Sequence, residues 1–179
     1  MIDFTFTEEQ ELFQKAAREF AETYIAPQVP AMEETGRNWE PVIKALCEAE
    51  MMAITIPEEY GGLGLGYVER LIALEQISRI SVATAMMMQV GGLGIEPFIK
   101  FGSEEQRQKY LPGLAAGERF ATVAVTEPSG GSDPKSCHTS YQKRNGSYIL
   151  NGRKCFITNS HIADTQVVMA VDDDNCDAF

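Results

Sequence analysis

Apolar residues in the first half of the chain recur at helical spacing. Leu12, Phe13, Ala16, Ala17, Phe20, Ala21 and Tyr24 fall on one face of a helix. Thr7 and Gln10 stand ahead of it as a capping box, and Pro27 predicts its end. Pro41, at a favoured first-turn position, opens a second helix whose buried positions are Val42, Ile43, Leu46 and Met51. Beyond the glycine-rich stretch PEEYGGLGLG, the spacing predicts helices over residues 68–78 and 82–89. Another starts at Ser103, whose hydroxyl can cap against Gln106.

From Phe120 onward the pattern changes to β-branched and aromatic residues broken by turns. FATVAV, residues 120–125, reads as a buried strand. Asn145-Gly146 and Asn151-Gly152 are two-residue hairpin signals, with SYIL between them and RKCFIT after the second. QVVMAV, residues 166–171, reads as a further strand before the acidic tail DDDNCDAF. The change of period divides the chain into an all-α domain, residues 1–118, and a β domain, residues 119–179, an α+β fold.

Charge narrows the choice of partners. With 26 acidic against 15 basic residues, net charge −11 and an isoelectric point near 4.6, the chain should repel nucleic acid and anionic membranes. An anionic small molecule would need a local site built from backbone N–H groups. No continuous apolar run approaches the ~18 residues of a membrane helix and the N-terminus MIDFTFTEEQ is acidic, which predicts a cytoplasmic protein without membrane insertion. Cys47, Cys137, Cys155 and Cys176 show no close pairing, so they read as free thiols.

Several motifs lead to ordinary structure. GGLGLG resembles a dinucleotide-binding turn, but counting from Gly62 and Gly64 the last glycine position is Tyr67, so a loop between helices is the better reading. Asn145-Gly146-Ser147 has the form of a glycosylation acceptor, yet the hairpin accounts for it. Cys137, His138, Cys155 and His161 match no ligand spacing. Met86, Met87 and Met88 suit core packing better than an adaptable acyl pocket. TEPSGGSD, residues 126–133, follows the strand directly; its glycines and small residues make either a turn or a site approached closely by a ligand.

Taken together, PEEYGG at 57–62, FGSEEQRQKYLPGLAAGE at 101–118, AVTEPSGGSD at 124–133 and NGRKCFITNS at 151–160 resemble the flavin-dependent acyl-CoA dehydrogenases, in order and spacing. The resemblance runs along essentially the whole chain. It implies a helical N-terminal domain followed by part of a small β-barrel middle domain. It also implies FAD as cofactor, an acyl-CoA substrate dehydrogenated at Cα–Cβ, and an electron-transferring flavoprotein as electron acceptor. An acyl-CoA oxidase is the alternative within the same fold.

Residue roles follow from the same resemblance. The backbone of Val123, Ala124, Val125 and Thr126, with the Thr126 hydroxyl, should contact the flavin ring edge. Phe156, Ile157 and Thr158 should supply a second contact, the Thr158 hydroxyl near the flavin N5. Ser132 should touch the coenzyme A portion of substrate. Gly130 stands where alanine is common, and Phe156 where tryptophan is common, which keeps an aromatic wall but lacks an indole N–H. Family members are about twice as long, and their C-terminal helical domain carries the catalytic base, so no base is assigned here. The expectation is an incomplete β domain. Alone, the chain should bind FAD weakly or not at all; it should form a homo-oligomer or complete its site with a complementary C-terminal polypeptide, as a split or non-catalytic subunit would.

Overall fold

The computed structural model describes residues 5–37 and 39–172; Cys176 and the acidic tail lie outside them. Helix α1 (Glu8–Phe20) starts at the expected capping box: the Thr7 hydroxyl accepts from the Gln10 N–H and the Gln10 side chain accepts from the Thr7 N–H. Pro27 does not end the helical run. A π-helical turn, Ala21–Ile25, and a 3-10 turn, Ala26–Gln28, carry the chain into α2 (Val29–Thr35), which stops at left-handed Gly36. Pro27 lies at the start of the 3-10 turn, where its missing N–H costs little. The wide π turn also shifts the helical phase. Ile25, fully buried, therefore takes the place expected of Tyr24, which is 57% exposed.

Helix α3 (Glu40–Glu48) places Pro41 in its first turn and buries Val42, Ile43 and Leu46; Met51 is buried in the turn beyond it. The glycine-rich loop leads into α4 (Tyr67–Ser78). Helix α5 runs over Val82–Phe101, well past the expected residue 89 and through Pro97. Its interior glycines obscure it in the sequence, yet packing requires them. A Cβ on Gly94 would lie 2.6 Å from the Thr122 nitrogen, and one on Gly92 would strike the Arg70 guanidinium. By length and composition α5 could cross a membrane, but Met88 and Ile95 anchor it in two successive core clusters. Of the three methionines only Met88 is core; Met86 is exposed. Helix α6 (Glu104–Ala115) begins at the Ser103 cap with Gln106, as expected.

Strand β1 (Ala121–Ala124) packs along α5 and pairs in parallel with β4 (Thr165–Val168). A second sheet has the order β3-β2-β5, with β2 (Ser140–Arg144) antiparallel to β3 (Ser147–Asn151) and parallel to β5 (Val171–Asp172). The β2–β3 turn is the expected Asn145-Gly146, both residues at positive φ. Among the described residues the two small sheets do not close into a barrel.

Two strand expectations fail. Asn151-Gly152 makes no hairpin and RKCFIT no strand. Gly152 serves a close crossing instead, since a Cβ there would lie 2.2 Å from the Thr139 hydroxyl oxygen. QVVMAV is split between the sheets: the Met169 N–H bonds Ala124 beside β1, and the Val171 N–H bonds Thr139 ahead of β2.

Candidate functional site

The chain leaves β1 at Val125 and enters TEPSGGSD. Residues 127–130 form a tight turn in which Glu127 and Gly130 exchange N–H to C=O bonds of 2.9 and 3.0 Å. The Gly131 backbone lies against Thr126, where a Cβ would come within 2.7 Å of its Oγ1. The stretch is thus both a turn and a close approach. Ser132 is exposed on its outer side.

Glu127 is buried, 5% exposed, and its carboxylate accepts from the amides of His138 (2.6 Å) and Thr139 (2.8 Å) and from the Lys154 ammonium (2.8 Å). Burial by itself would push this carboxyl up; the bonds from Lys154, Thr139 and the His138 amide outweigh it and hold the group well below the usual carboxylate range. The Lys154 ammonium also donates to the Val125 carbonyl at 2.9 Å.

Residues 154–158 run antiparallel to β1 and its continuation. The Cys155 N–H bonds the Thr126 carbonyl at 2.9 Å, and the buried Thr122 hydroxyl donates to the Thr158 carbonyl at 2.7 Å. The two segments assigned to flavin by resemblance therefore lie side by side. The carbonyls of Ala124, Val125 and Thr126 are taken by Met169, Lys154 and Cys155, which leaves the N–H groups of Val125 and Thr126 without acceptors among the described residues. The hydroxyls of Thr126 and Thr158 are likewise unengaged among them. Phe156 is held at φ +57° with its ring 92% exposed, a strained position for a bulky residue.

Two clefts flank this segment. One, of about 530 Å3, lies between the α2–α3 connection and residues 157–161 and is lined by Arg37, Trp39, Met87, Ile157, Thr158 and His161. The Trp39 and His161 rings meet edge to face at 4.9 Å. The other, about 390 Å3, is lined by Ala124, Thr139, Lys154, Phe156, Ile157 and Gln166. The Thr139 hydroxyl is buried there, beside the Glu127 carboxylate. Ala124, Phe156, Ile157 and Thr158 thus border the clefts, whereas Val123, Val125, Thr126 and Ser132 do not.

Sequence reasoning missed the Glu127–Lys154 pair and the bond from the Asn159 amide to the Met87 carbonyl. Glu127 stood in a stretch already singled out, but nothing in the spacing points to a lysine 27 positions later. His138 contacts Ser129 and Glu127, while His161 contacts Trp39, so the two histidines belong to different sites.

The fold agrees with that of a family of flavoprotein dehydrogenases. The acyl-CoA dehydrogenase N-terminal domain model matches residues 7–118 and the acyl-CoA dehydrogenase middle domain model residues 122–178. The chain belongs to the acyl-CoA dehydrogenase family. It is 42% identical over 166 residues to an acyl-CoA dehydrogenase of Bacillus subtilis (strain 168), covering 92% of this chain and 44% of that protein. It superposes with TM-score 0.86 and 34% identity on an acyl-CoA dehydrogenase of Bacillus anthracis complexed with FAD, covering 97% of this chain and 30% of that one. A structure described as an electron transferring flavoprotein of Acidaminococcus fermentans aligns with TM-score 0.89 and 37% identity, covering 97% of this chain and 46% of that one. The chain therefore spans less than half the length of these relatives.

Proposed function

We propose that these residues form the FAD-contacting and coenzyme-positioning portion of an acyl-CoA dehydrogenase, which oxidises an acyl-CoA thioester at Cα–Cβ and hands electrons to an electron-transferring flavoprotein. The observation that carries the reading is the pairing of residues 122–126 with 154–158, beside which two hydroxyls and two backbone N–H groups have no partners among the described residues. Thr158 pairs beside Thr122 and Cys155 beside Thr126, so the two threonines stand about four strand residues apart, roughly 13 Å. Donors at both ends of such a span suit an elongated heterocycle with carbonyl oxygens and ring nitrogens along its edge.

FAD when bound supplies the two-electron acceptor that no side chain can provide. The Val125 and Thr126 N–H groups and the threonine hydroxyls would hold its ring, the exposed Phe156 ring would cover one face, and Ser132 would contact coenzyme A. None of these residues is assigned the removal of the α-proton. Cytoplasmic location and homo-oligomeric assembly, or assembly with a complementary polypeptide, belong to the same proposal.

In a flavin-loaded assembly of the chain with the part of the Bacillus subtilis relative that it does not match, FAD should bind severalfold more weakly in Thr126→Val or Thr158→Val, each losing a bond of about 1 kcal/mol. Joined to the part of the Bacillus subtilis relative that it does not match, the chain should give a yellow protein that reduces a dye with acyl-CoA. There, Ser132→Ala should raise KM more than it lowers kcat. A folded chimera that stays colourless would overturn the reading.

A further inference from the structure

We propose that the buried Glu127–Lys154 pair is a positioning element, which sets the spacing between the Val125–Thr126 backbone and residues 155–158; its functional meaning rests on the flavin reading above. The Lys154 ammonium bonds the Val125 carbonyl and the Glu127 carboxylate, and so straddles Thr126. Its neighbour Cys155 bonds the Thr126 carbonyl itself. Three consecutive residues of the TEP corner are thus held by two consecutive residues of the opposite segment. Glu127 extends the hold to the start of β2 through the His138 and Thr139 amides.

Burial makes this arrangement exacting. The side chains of Glu127 and Lys154 are 4% and 9% exposed, and removing either partner leaves the other charge buried without compensation. An apolar pair of the same volume could fill the space, so stability alone does not explain the ions. What they add is directional bonding of a carboxylate and an ammonium to named backbone groups. Without them, the two segments are joined by the Cys155–Thr126 and Thr122–Thr158 bonds. Phe156, strained and exposed, sits immediately after the clamp and takes its direction from it.

The test compares amide hydrogen exchange in the 179-residue chain and in Glu127→Gln, Lys154→Met and Lys154→Arg. Exchange at Cys155, His138 and Thr139 should quicken about tenfold or more in the first two variants, with α1 and α4 protected as in the parent. Lys154→Arg keeps the cation and should hold protection within a few-fold of the parent, which guards against reading global unfolding as loosening. Unchanged exchange at Cys155, or acceleration spread evenly through the helices, would overturn the proposal. In the second arm, run in the chimera with the Bacillus subtilis relative, FAD affinity should fall at least tenfold in Glu127→Gln while the helices remain protected; equal affinity would overturn the positioning role. A folded parent chimera that stays colourless would count against the flavin reading, and the exchange arm would still decide the clamp.

Discussion

The side-chain amide of Asn159 donates to the Met87 carbonyl at 2.8 Å, joining residues 72 positions apart and fastening the FITN segment to the N-terminal half of α5. Asn159 is 5% exposed and adopts φ +66°, a conformation that asparagine tolerates better than most residues. Both properties contribute, and they can be separated. Asn159→Gly keeps the backbone freedom and loses the bond, at a cost of about 1 kcal/mol. Asn159→Ala loses both and should cost about 2–3 kcal/mol. Urea midpoints that coincide for the two variants would show that the φ angle contributes nothing.

Glycines 94 and 146 should respond to alanine for different reasons. Gly146→Ala meets open space and only the strain of φ +79°, so it should cost about 1–2 kcal/mol and leave β1 undisturbed. Gly94→Ala gains up to about 1 kcal/mol of helix propensity but drives a methyl into the Ala121 and Thr122 backbone, a penalty of about 1–3 kcal/mol. Amide exchange in β1 should therefore rise in Gly94→Ala and not in Gly146→Ala; the reverse pattern would contradict the packing described.

Phe156 should show a trade between stability and function. Its positive φ carries strain of about 1–3 kcal/mol, and its exposed ring returns little burial to offset that. Phe156→Asn should accordingly raise thermal stability while weakening flavin binding. A variant with lower stability would mean that the ring is held by contacts stronger than its exposure suggests.

Acid should loosen the TEP corner through Glu127. Its folded-state pKa is depressed, so the ionised carboxylate stabilises the fold above its ordinary value near 4.5. That stabilisation is lost as pH falls from there toward the lower folded pKa. Below pH 4.5 the stability of the parent chain should thus decline more steeply than that of Glu127→Gln, which has nothing to protonate at this position. Parallel acid profiles would remove Glu127 from the account.

Local chemistry settled much of the helical domain in advance. The Thr7–Gln10 and Ser103–Gln106 boxes, Pro41 in the first turn of α3, and the Asn145-Gly146 turn each draw their structure from groups within four residues, so the sequence alone specifies them. Where tertiary contacts compete, the local signal misleads. Helix propensity counts against the glycines of α5, yet β1 lies where a Gly94 side chain would be and the Arg70 guanidinium where a Gly92 side chain would be. Asn151-Gly152 reads as a hairpin because that dipeptide favours one, but Gly152 is needed small for Thr139 to cross it.

The candidate site divides along the same line. TEPSGGSD and FITN carry their own residue types and were legible as motifs, as was the family they resemble. Their meeting was not legible, because it rests on Cys155 reaching Thr126, Thr122 reaching Thr158 and Lys154 reaching Glu127 across 27 to 36 positions. Sequence periodicity reports which face a residue occupies within its own element. It holds no record of which distant element will supply the partner for a buried charge. That partner is chosen by the packing of β1 on α5 and the crossing of Gly152 over Thr139, and only the folded chain contains either.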